Sequence, residues 1–80
     1  MKKSRKPDSE DIKIIAEFIE DIIASTTKEE KEESIKQIQR YFDDHQFSIK
    51  SFSQALADTT YSNQIKGVFV LLQAGKLIKE

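Results

Sequence analysis

The stretch that decides the fold of this chain is residues 47–78, which read FSIKSFSQALADTTYSNQIKGVFVLLQAGKLI. Ser48 is a favourable N-cap for a short helix, and Phe52 and Leu56, four residues apart, share one face of that helix. A polar turn at residues 58–60 separates the short helix from a longer apolar run. A short helix, a tight turn and a longer helix form the outline of a helix-turn-helix.

The longer helix is predicted to begin near Tyr61 and to reach Ala74. Its inward face carries apolar residues at helical spacing: Tyr61, Ile65, Val68 and Leu72, with Phe69 at the edge. Gly75 follows the last turn, at the position where a residue with a left-handed backbone ends many helices. We expect residues 77–78 to fold back onto the domain or to begin a short strand.

A first helix is predicted to run from a cap at Asp8 or Ser9 to about Ala24. Its apolar residues recur at the helical period, and Ile14 and Phe18 widen the apolar arc to about 200°, which is more than a one-sided surface helix needs. This helix is therefore either central in the fold or part of a dimer contact. Ile14 and Phe18 are the predicted dimer seam.

A second helix is predicted over residues 28–44, because Thr27 and Glu30 have the spacing of a capping box. Its first two turns are almost entirely charged, so we expect them to project into solvent. The four helices predict an all-α domain over residues 8–80, with a wing-less, winged-helix-like helix-turn-helix at its C-terminal end. Residues 1–7 are interpreted as a flexible basic arm.

Composition narrows the class of protein. A chain of 80 residues makes one small domain that folds alone with little stability to spare. It contains no cysteine, which fits a reducing compartment and excludes disulfides and thiolate metal ligands. No apolar run approaches the roughly 20 residues of a membrane span, and the basic N-terminus lacks the apolar segment of a secretory signal. We therefore expect a cytoplasmic protein.

The charges are unevenly distributed along the chain, whose net charge is −1. Residues 1–6 carry four positive charges, residues 8–33 carry ten acids against three lysines, and residues 46–80 carry four lysines against two acids. Such a separation can orient a protein on a polyanion. Small soluble domains also often carry uneven charge without a functional reason. A role in binding a polyanion and an uneven charge without a role therefore both stay open.

The sequence contains no motif for catalysis. Asp43, Asp44 and His45 form the one cluster of carboxylates with a histidine, and no second His or Cys exists to complete a metal site. His45 is better explained as a side chain that complements the C-terminal dipole of the second helix. Because phosphate loops and nucleophile elbows are also absent, we predict a non-enzymatic protein without metal, cofactor or small-molecule substrate.

The fourth helix is the predicted recognition helix. Thr60, Ser62 and Asn63 lie at its N-terminal end, and Lys66 follows one turn later. Asn side chains hydrogen-bond adenine, Lys reaches guanine, and Ser and Thr bind phosphates. Lys50, on the third helix, would hold a backbone phosphate. These five residues are the predicted contacts to double-stranded DNA.

Four short segments within residues 47–78 form a recognisable pattern: FSI at 47–49, SFSQAL at 51–56, YSN at 61–63 and LQAGKLI at 72–78. On these segments the chain resembles the winged-helix family of DNA-binding domains. It is similar both to bacterial MarR-like regulators and to the DNA-orienting gamma domain of bacterial DNA translocases. The resemblance implies a small DNA-binding regulatory protein of bacterial type.

The chain departs from the winged-helix pattern in three places. It ends at Glu80, where the wing hairpin would develop, so we expect no wing or a single strand. The turn has Ala57 and Asp58 where glycine is common, and the recognition face has one lysine and no arginine. Because phosphate neutralisation dominates affinity for DNA, a monomer would bind weakly. A homodimer or the basic arm would have to compensate.

The alternative prediction is a plain helical bundle that binds another protein. Val70 is apolar and lies on the outward face of the fourth helix beside Gly67. A protein partner would bury Val70, whereas DNA would not need it. Gly67 and Val70 are the predicted partner contacts in this case, and the protein would be an adaptor, an inhibitor or an antirepressor.

Overall fold

The computed structural model describes residues 6–78, which fold into four helices without a strand. The helices are α1 (Ser9–Ala24), α2 (Lys28–His45), α3 (Ile49–Ala57) and α4 (Asn63–Ala74). The all-α, four-helix prediction is confirmed. Of the predicted basic arm, residues 1–5 lie outside the described residues, Lys6 is exposed and Pro7 is buried.

The helices begin where short polar side chains accept hydrogen bonds from the backbone. Asp8 and Asp11 form a reciprocal capping box at the start of α1, with both backbone-to-carboxylate distances at 3.0 Å. Thr27 Oγ1 accepts from Glu30 N at 3.2 Å, and Ser48 caps α3. These caps are at the residues that the sequence indicates, because a cap depends only on neighbours three positions apart.

The predicted start of α4 near Tyr61 is corrected to Asn63. Ser62 has an extended backbone, and its Oγ accepts from Ile65 N at 3.3 Å, so the helix begins after Ser62. Tyr61 belongs to the turn, where it is half-buried and packs against the core. The apolar face of α4 is therefore carried by Ile65, Phe69 and Leu72.

Helix α2 is followed by a residue with a left-handed backbone. Gln46 has φ 56° and ψ 39°, and the next amide, Phe47 N, donates to Phe42 O at 3.1 Å. The rings of Phe42 and Phe47 then meet edge to face, with centroids 6.0 Å apart. This hydrogen bond and the apolar contact beside it are the features of a Schellman motif.

The left-handed residue after α4 is Lys76 and not Gly75, so that prediction was wrong. Gly75 keeps a helical backbone with φ −80°, and Lys76 has φ 57°. Lys76 N donates to Gln73 O at 3.1 Å, and Leu77 N donates to Leu72 O at 3.0 Å. The helical backbone thus continues one residue further than the glycine suggested. The expected fold-back is confirmed for Ile78, which is buried in the core, but not for Leu77, which is 55% exposed.

Replacing Gln46 with glycine is expected to stabilise the domain by about 1 kcal/mol, because glycine adopts the left-handed region without the steric cost that a side chain brings. The matched control is Gln54→Gly, in the helical backbone of α3, which should destabilise by about 1 kcal/mol. Urea unfolding of both variants measures the difference. Equal shifts in the same direction would show that the backbone of Gln46 carries no strain.

Helix α1 occupies the centre of the fold, in contact with α2, α3 and α4. The residues of the buried apolar core are Ile12, Ile15, Ala16, Ile19, Ile38, Phe42, Phe47, Ile49, Phe52, Leu56, Ile65, Phe69, Leu72 and Ile78. The central position accounts for the wide apolar arc of α1. Phe18, one of the two predicted seam residues, is half-buried and packs against this core, and Ile14 is also half-buried.

Candidate interaction surface

The N-terminal end of α4 displays part of the predicted DNA-contact set. Thr60 and Asn63 are exposed, and so is Lys50 at the start of α3. Ser62 is exposed too, although its hydroxyl is engaged as the N-cap acceptor for Ile65 N. The side chains of Thr60, Asn63 and Lys50 are therefore directed to solvent.

Lys66 differs from the other predicted DNA contacts because its ammonium group is used within the domain. Lys66 Nζ donates to Thr59 O at 2.7 Å and to Ala57 O at 3.2 Å. Both carbonyls lie at or just after the C-terminus of α3, where the helix leaves its last carbonyls without helical partners and its dipole favours a cation. Lys66 ties α4 to the end of α3, and this lowers its availability for a phosphate or a base.

Replacing Lys66 with methionine is expected to destabilise the domain by about 1 kcal/mol, because the substitution keeps the aliphatic stem and removes both charge-assisted hydrogen bonds at a partly exposed site. The control is Lys50→Met, an exposed position where we expect a change within about 0.5 kcal/mol. Thermal unfolding of the two variants checks this. A Lys66→Met variant as stable as Lys50→Met would mean that the two hydrogen bonds contribute nothing.

Four large apolar side chains of the described residues are exposed. Leu71 is 70% exposed, Leu77 55%, Val70 54% and Ile23 37%. Val70 is the outward apolar residue expected from the sequence, and Gly67 beside it is exposed as well. Leu71, Leu77 and Ile23 were not predicted from the sequence as exposed contact residues. The helical angle was a usable signal for Leu71, since this residue lies about 100° away from the buried Leu72.

Three of these side chains, Ile23, Leu71 and Leu77, line one open groove. The groove lies between the C-terminal end of α1, the first half of α2, α4 and the segment that follows α4, and Ile35 of α2 and Val68 of α4 also line it. Lys31 is the one charged side chain among the described residues that line it. We call the surface formed by Ile23, Gly67, Val70, Leu71, Ala74 and Leu77 the α4 apolar surface.

Gly67 gives the α4 apolar surface a flat point in the middle of the helix. A Cβ atom added at Gly67 would meet no atom within 4 Å, and the residue does not have positive φ. Neither packing inside the domain nor backbone conformation therefore requires glycine here. In a helix interior glycine costs roughly 1 kcal/mol relative to alanine. Nothing within the monomer therefore accounts for a glycine at this position.

A buried carboxylate in the first turn of α1 forms a hydrogen bond with α2. Asp11 is 6% exposed and accepts a hydrogen bond from Tyr41 Oη at 2.6 Å on its Oδ1 atom. The imidazole of His45 stacks on the Tyr41 ring with centroids 4.0 Å apart, and its Nδ1 lies 2.9 Å from Tyr41 O. His45 thus lies in the last turn of α2, as predicted for a residue that complements the helix dipole. The contact between Asp11 and Tyr41 joins α1 to α2 and is structural.

Residues 6–78 contain no group of three or more His, Cys, Asp or Glu side chains placed to hold a metal ion. Within the same residues, no helix has the length and apolar character that crossing a membrane requires. Comparison of the chain with protein-family models, with curated proteins and with solved structures found no match.

Proposed function

We propose that this protein is a non-enzymatic protein-interaction module that binds its partner through the α4 apolar surface. The observation that carries the proposal is the exposure of Val70, Leu71, Leu77 and Ile23 on neighbouring parts of the fold. Together they expose on the order of 400 Å² of residue surface, the size of apolar patch that often marks a binding site on a small monomer.

The charge distribution also supports protein binding over DNA binding. The α4 apolar surface carries no charged side chain, and Lys31 lies at its margin. An uncharged centre with polar residues around it is the composition of protein–protein interfaces. DNA-binding surfaces are strongly positive, and here the one lysine on the outward side of α4 is bound to carbonyls of the adjacent turn.

A displayed library of amphipathic helical peptides tests this proposal. The library is selected on sparsely immobilised wild-type protein, and enriched peptides are assayed on Leu71→Glu and on Gln54→Glu, an exposed α3 position that receives the same charge. We expect micromolar binding to wild type and to Gln54→Glu, and binding at least about tenfold weaker to Leu71→Glu. Equal binding to the two variants, or failure to enrich any peptide on a wild type that is also monomeric in solution, would contradict the proposal.

The second candidate function is that of a small helix-turn-helix regulatory protein that binds DNA, in line with the resemblance to winged-helix domains. The specific observation in its favour is the exposure of Thr60 and Asn63 at the start of α4, which follows α3 after a short turn. A helix N-terminus with exposed polar side chains is the part of a recognition helix that contacts bases and phosphates.

Fluorescence anisotropy with random duplex DNA tests the second candidate at about 50 mM and 200 mM salt, the range in which phosphate contacts change affinity most visibly. DNA binding through lysines predicts micromolar affinity that falls steeply with salt and that Lys50→Glu weakens. Lys66 is a poor test position because its substitution also disturbs the turn. Absence of binding at the lower salt concentration would exclude this candidate.

A further inference from the structure

From the shape and charge of the α4 apolar surface, we propose that its occupant is the same surface of a second copy of this chain, so that the protein is a two-fold symmetric homodimer in which α4 packs against α4. This inference rests on the proposed function and names its partner. It differs from the α1 seam expected from the sequence, since Ile14 and Phe18 are half-buried in the monomer, whereas Leu71 is 70% exposed.

The spacing of small and apolar residues on α4 fits a helix–helix contact. Asn63, Gly67, Val70 and Ala74 are all exposed and follow one another at intervals of four, three and four residues. Residues at alternating intervals of three and four lie along one side of a helix. Paired helices contact each other through residues with this spacing. Leu71 flanks this stripe on the side of the groove. The stripe is therefore straight along α4 and covers its whole length.

A two-fold axis suits this stripe because its middle is small and uncharged. An axis perpendicular to α4 near the centre of the stripe sets Gly67 of one copy against Val70 of the partner subunit. Gly67 leaves room for that side chain, since the space where its Cβ would lie is open. In a two-fold contact, residue i of one copy meets residue j of the other and j meets i, and no charged residues face each other along this stripe. The small net charge of −1 adds little repulsion between copies.

The area available agrees with a reversible dimer. The large apolar residues of the surface expose on the order of 400 Å² per copy, about half of the roughly 800 Å² that each partner contributes to a standard stable interface. Polar residues at the margin, such as Gln64 and Lys31, extend the contact. A domain of this size also gains stability by association, because binding of the folded state to itself shifts the equilibrium away from the unfolded chain.

Sedimentation velocity of the full chain over concentrations from about 5 µM to 1 mM tests the dimer, a range that covers reversible association. We expect the wild type to shift from monomer to dimer. Leu71→Glu should weaken association at least about a hundredfold, since it brings an unpaired charge to an apolar contact. Gln54→Glu should associate like the wild type.

The Gly67→Gln variant distinguishes an effect on association from an effect on the stability of the monomer. In the monomer this side chain meets open space, so the variant should be at least as stable as wild type at low concentration, by up to about 0.5–1 kcal/mol because glutamine is a better helix former. In the dimer it fills the position opposite Val70 of the partner subunit, so association should weaken at least about tenfold. A monomeric wild type over the whole range, or dimerisation that Leu71→Glu and Gly67→Gln leave unchanged, would overturn the dimer.

The two proposals fail in distinguishable ways. If the wild type stays monomeric and selected peptides still bind in a Leu71-dependent manner, the partner is another protein and only the homodimer is wrong. If the wild type is monomeric and no peptide is selected, the α4 apolar surface is not a binding site and both proposals are wrong.

Discussion

Replacing Phe52 with alanine should lower the free energy of unfolding by about 3–5 kcal/mol, the largest loss that we expect from a single substitution. Phe52 is fully buried, and its ring lies 4.9 Å from Phe42, 5.9 Å from Phe47 and 5.5 Å from Phe69, centroid to centroid. These rings come from α2, the segment after it, α3 and α4. Removing the central ring leaves a cavity that the three surrounding rings cannot fill together.

The expected loss is a large fraction of the stability of a domain of this size. At roughly 0.05–0.15 kcal/mol per residue, a domain of 80 residues has about 4–12 kcal/mol of stability. The measurement is urea or thermal unfolding followed by circular dichroism, with Phe18→Ala as the matched control. Phe18 is half-buried at the edge of the same core and should lose roughly half as much. Equal losses in the two variants would contradict the described core.

Replacing Asp11 with alanine is the second large effect, with an expected loss of about 3 kcal/mol. Asp11 is the one buried charged side chain among the described residues. Its carboxylate accepts from Tyr41 Oη at 2.6 Å and from Asp8 N at 3.0 Å. Alanine removes an acceptor from a phenolic hydroxyl and from a helix-start amide simultaneously, and hydrogen bonds to a charged acceptor are the stronger kind.

A double-mutant cycle with Tyr41→Phe isolates the contact between α1 and α2. We expect the single variants Asp11→Ala and Tyr41→Phe to be non-additive by about 1–2 kcal/mol, because they remove the same hydrogen bond. Asp8→Ala is the control for the helix cap and should cost only about 1 kcal/mol. Additive losses in the cycle would show that the hydroxyl–carboxylate contact contributes no coupling energy.

The features of the fold that depend on near neighbours could be predicted from the sequence. The caps at Asp8, Thr27 and Ser48 each need a side chain and an amide three residues away, so a short segment contains the whole signal. The helical period of α1 also required only local counting. The width of its apolar arc left two alternatives, a central position or a dimer contact, and the structure places α1 at the centre of the fold.

The features that were missed or misplaced depend on residues far apart or on backbone conformations without a strong sequence signature. The Asp11–Tyr41 hydrogen bond spans 30 positions and cannot be found by periodicity. Gln46 and Lys76 have a left-handed backbone, which statistics assign to glycine or asparagine. Lys66 faces outward on a helical projection, yet its long side chain reaches back to the end of α3. A projection gives the direction of Cβ, and not the position of a flexible ammonium group.

Two of the six residues of the α4 apolar surface were predicted from the sequence. Val70 and Gly67 were found because their helical angles oppose the apolar face of α4. Ile23 and Leu77 come from the end of α1 and from the segment after α4, and only the tertiary arrangement brings them beside Leu71. The sequence does not show which helix ends remain uncovered, so it does not distinguish apolar side chains at those ends from core residues.

Nuclear magnetic resonance can show residue by residue whether this protein binds a second copy through the exposed side of α4, as we propose. Amide ¹H–¹⁵N spectra of the wild type are compared at about 20 µM and 1 mM, concentrations on either side of a reversible dimer constant. We predict that the shifting amides lie around Gly67, Val70 and Leu71 and in the groove that Leu71 lines, with no change around Ile14. Shifts centred on Ile14 and Phe18, or spectra that do not change with concentration, would contradict the claim.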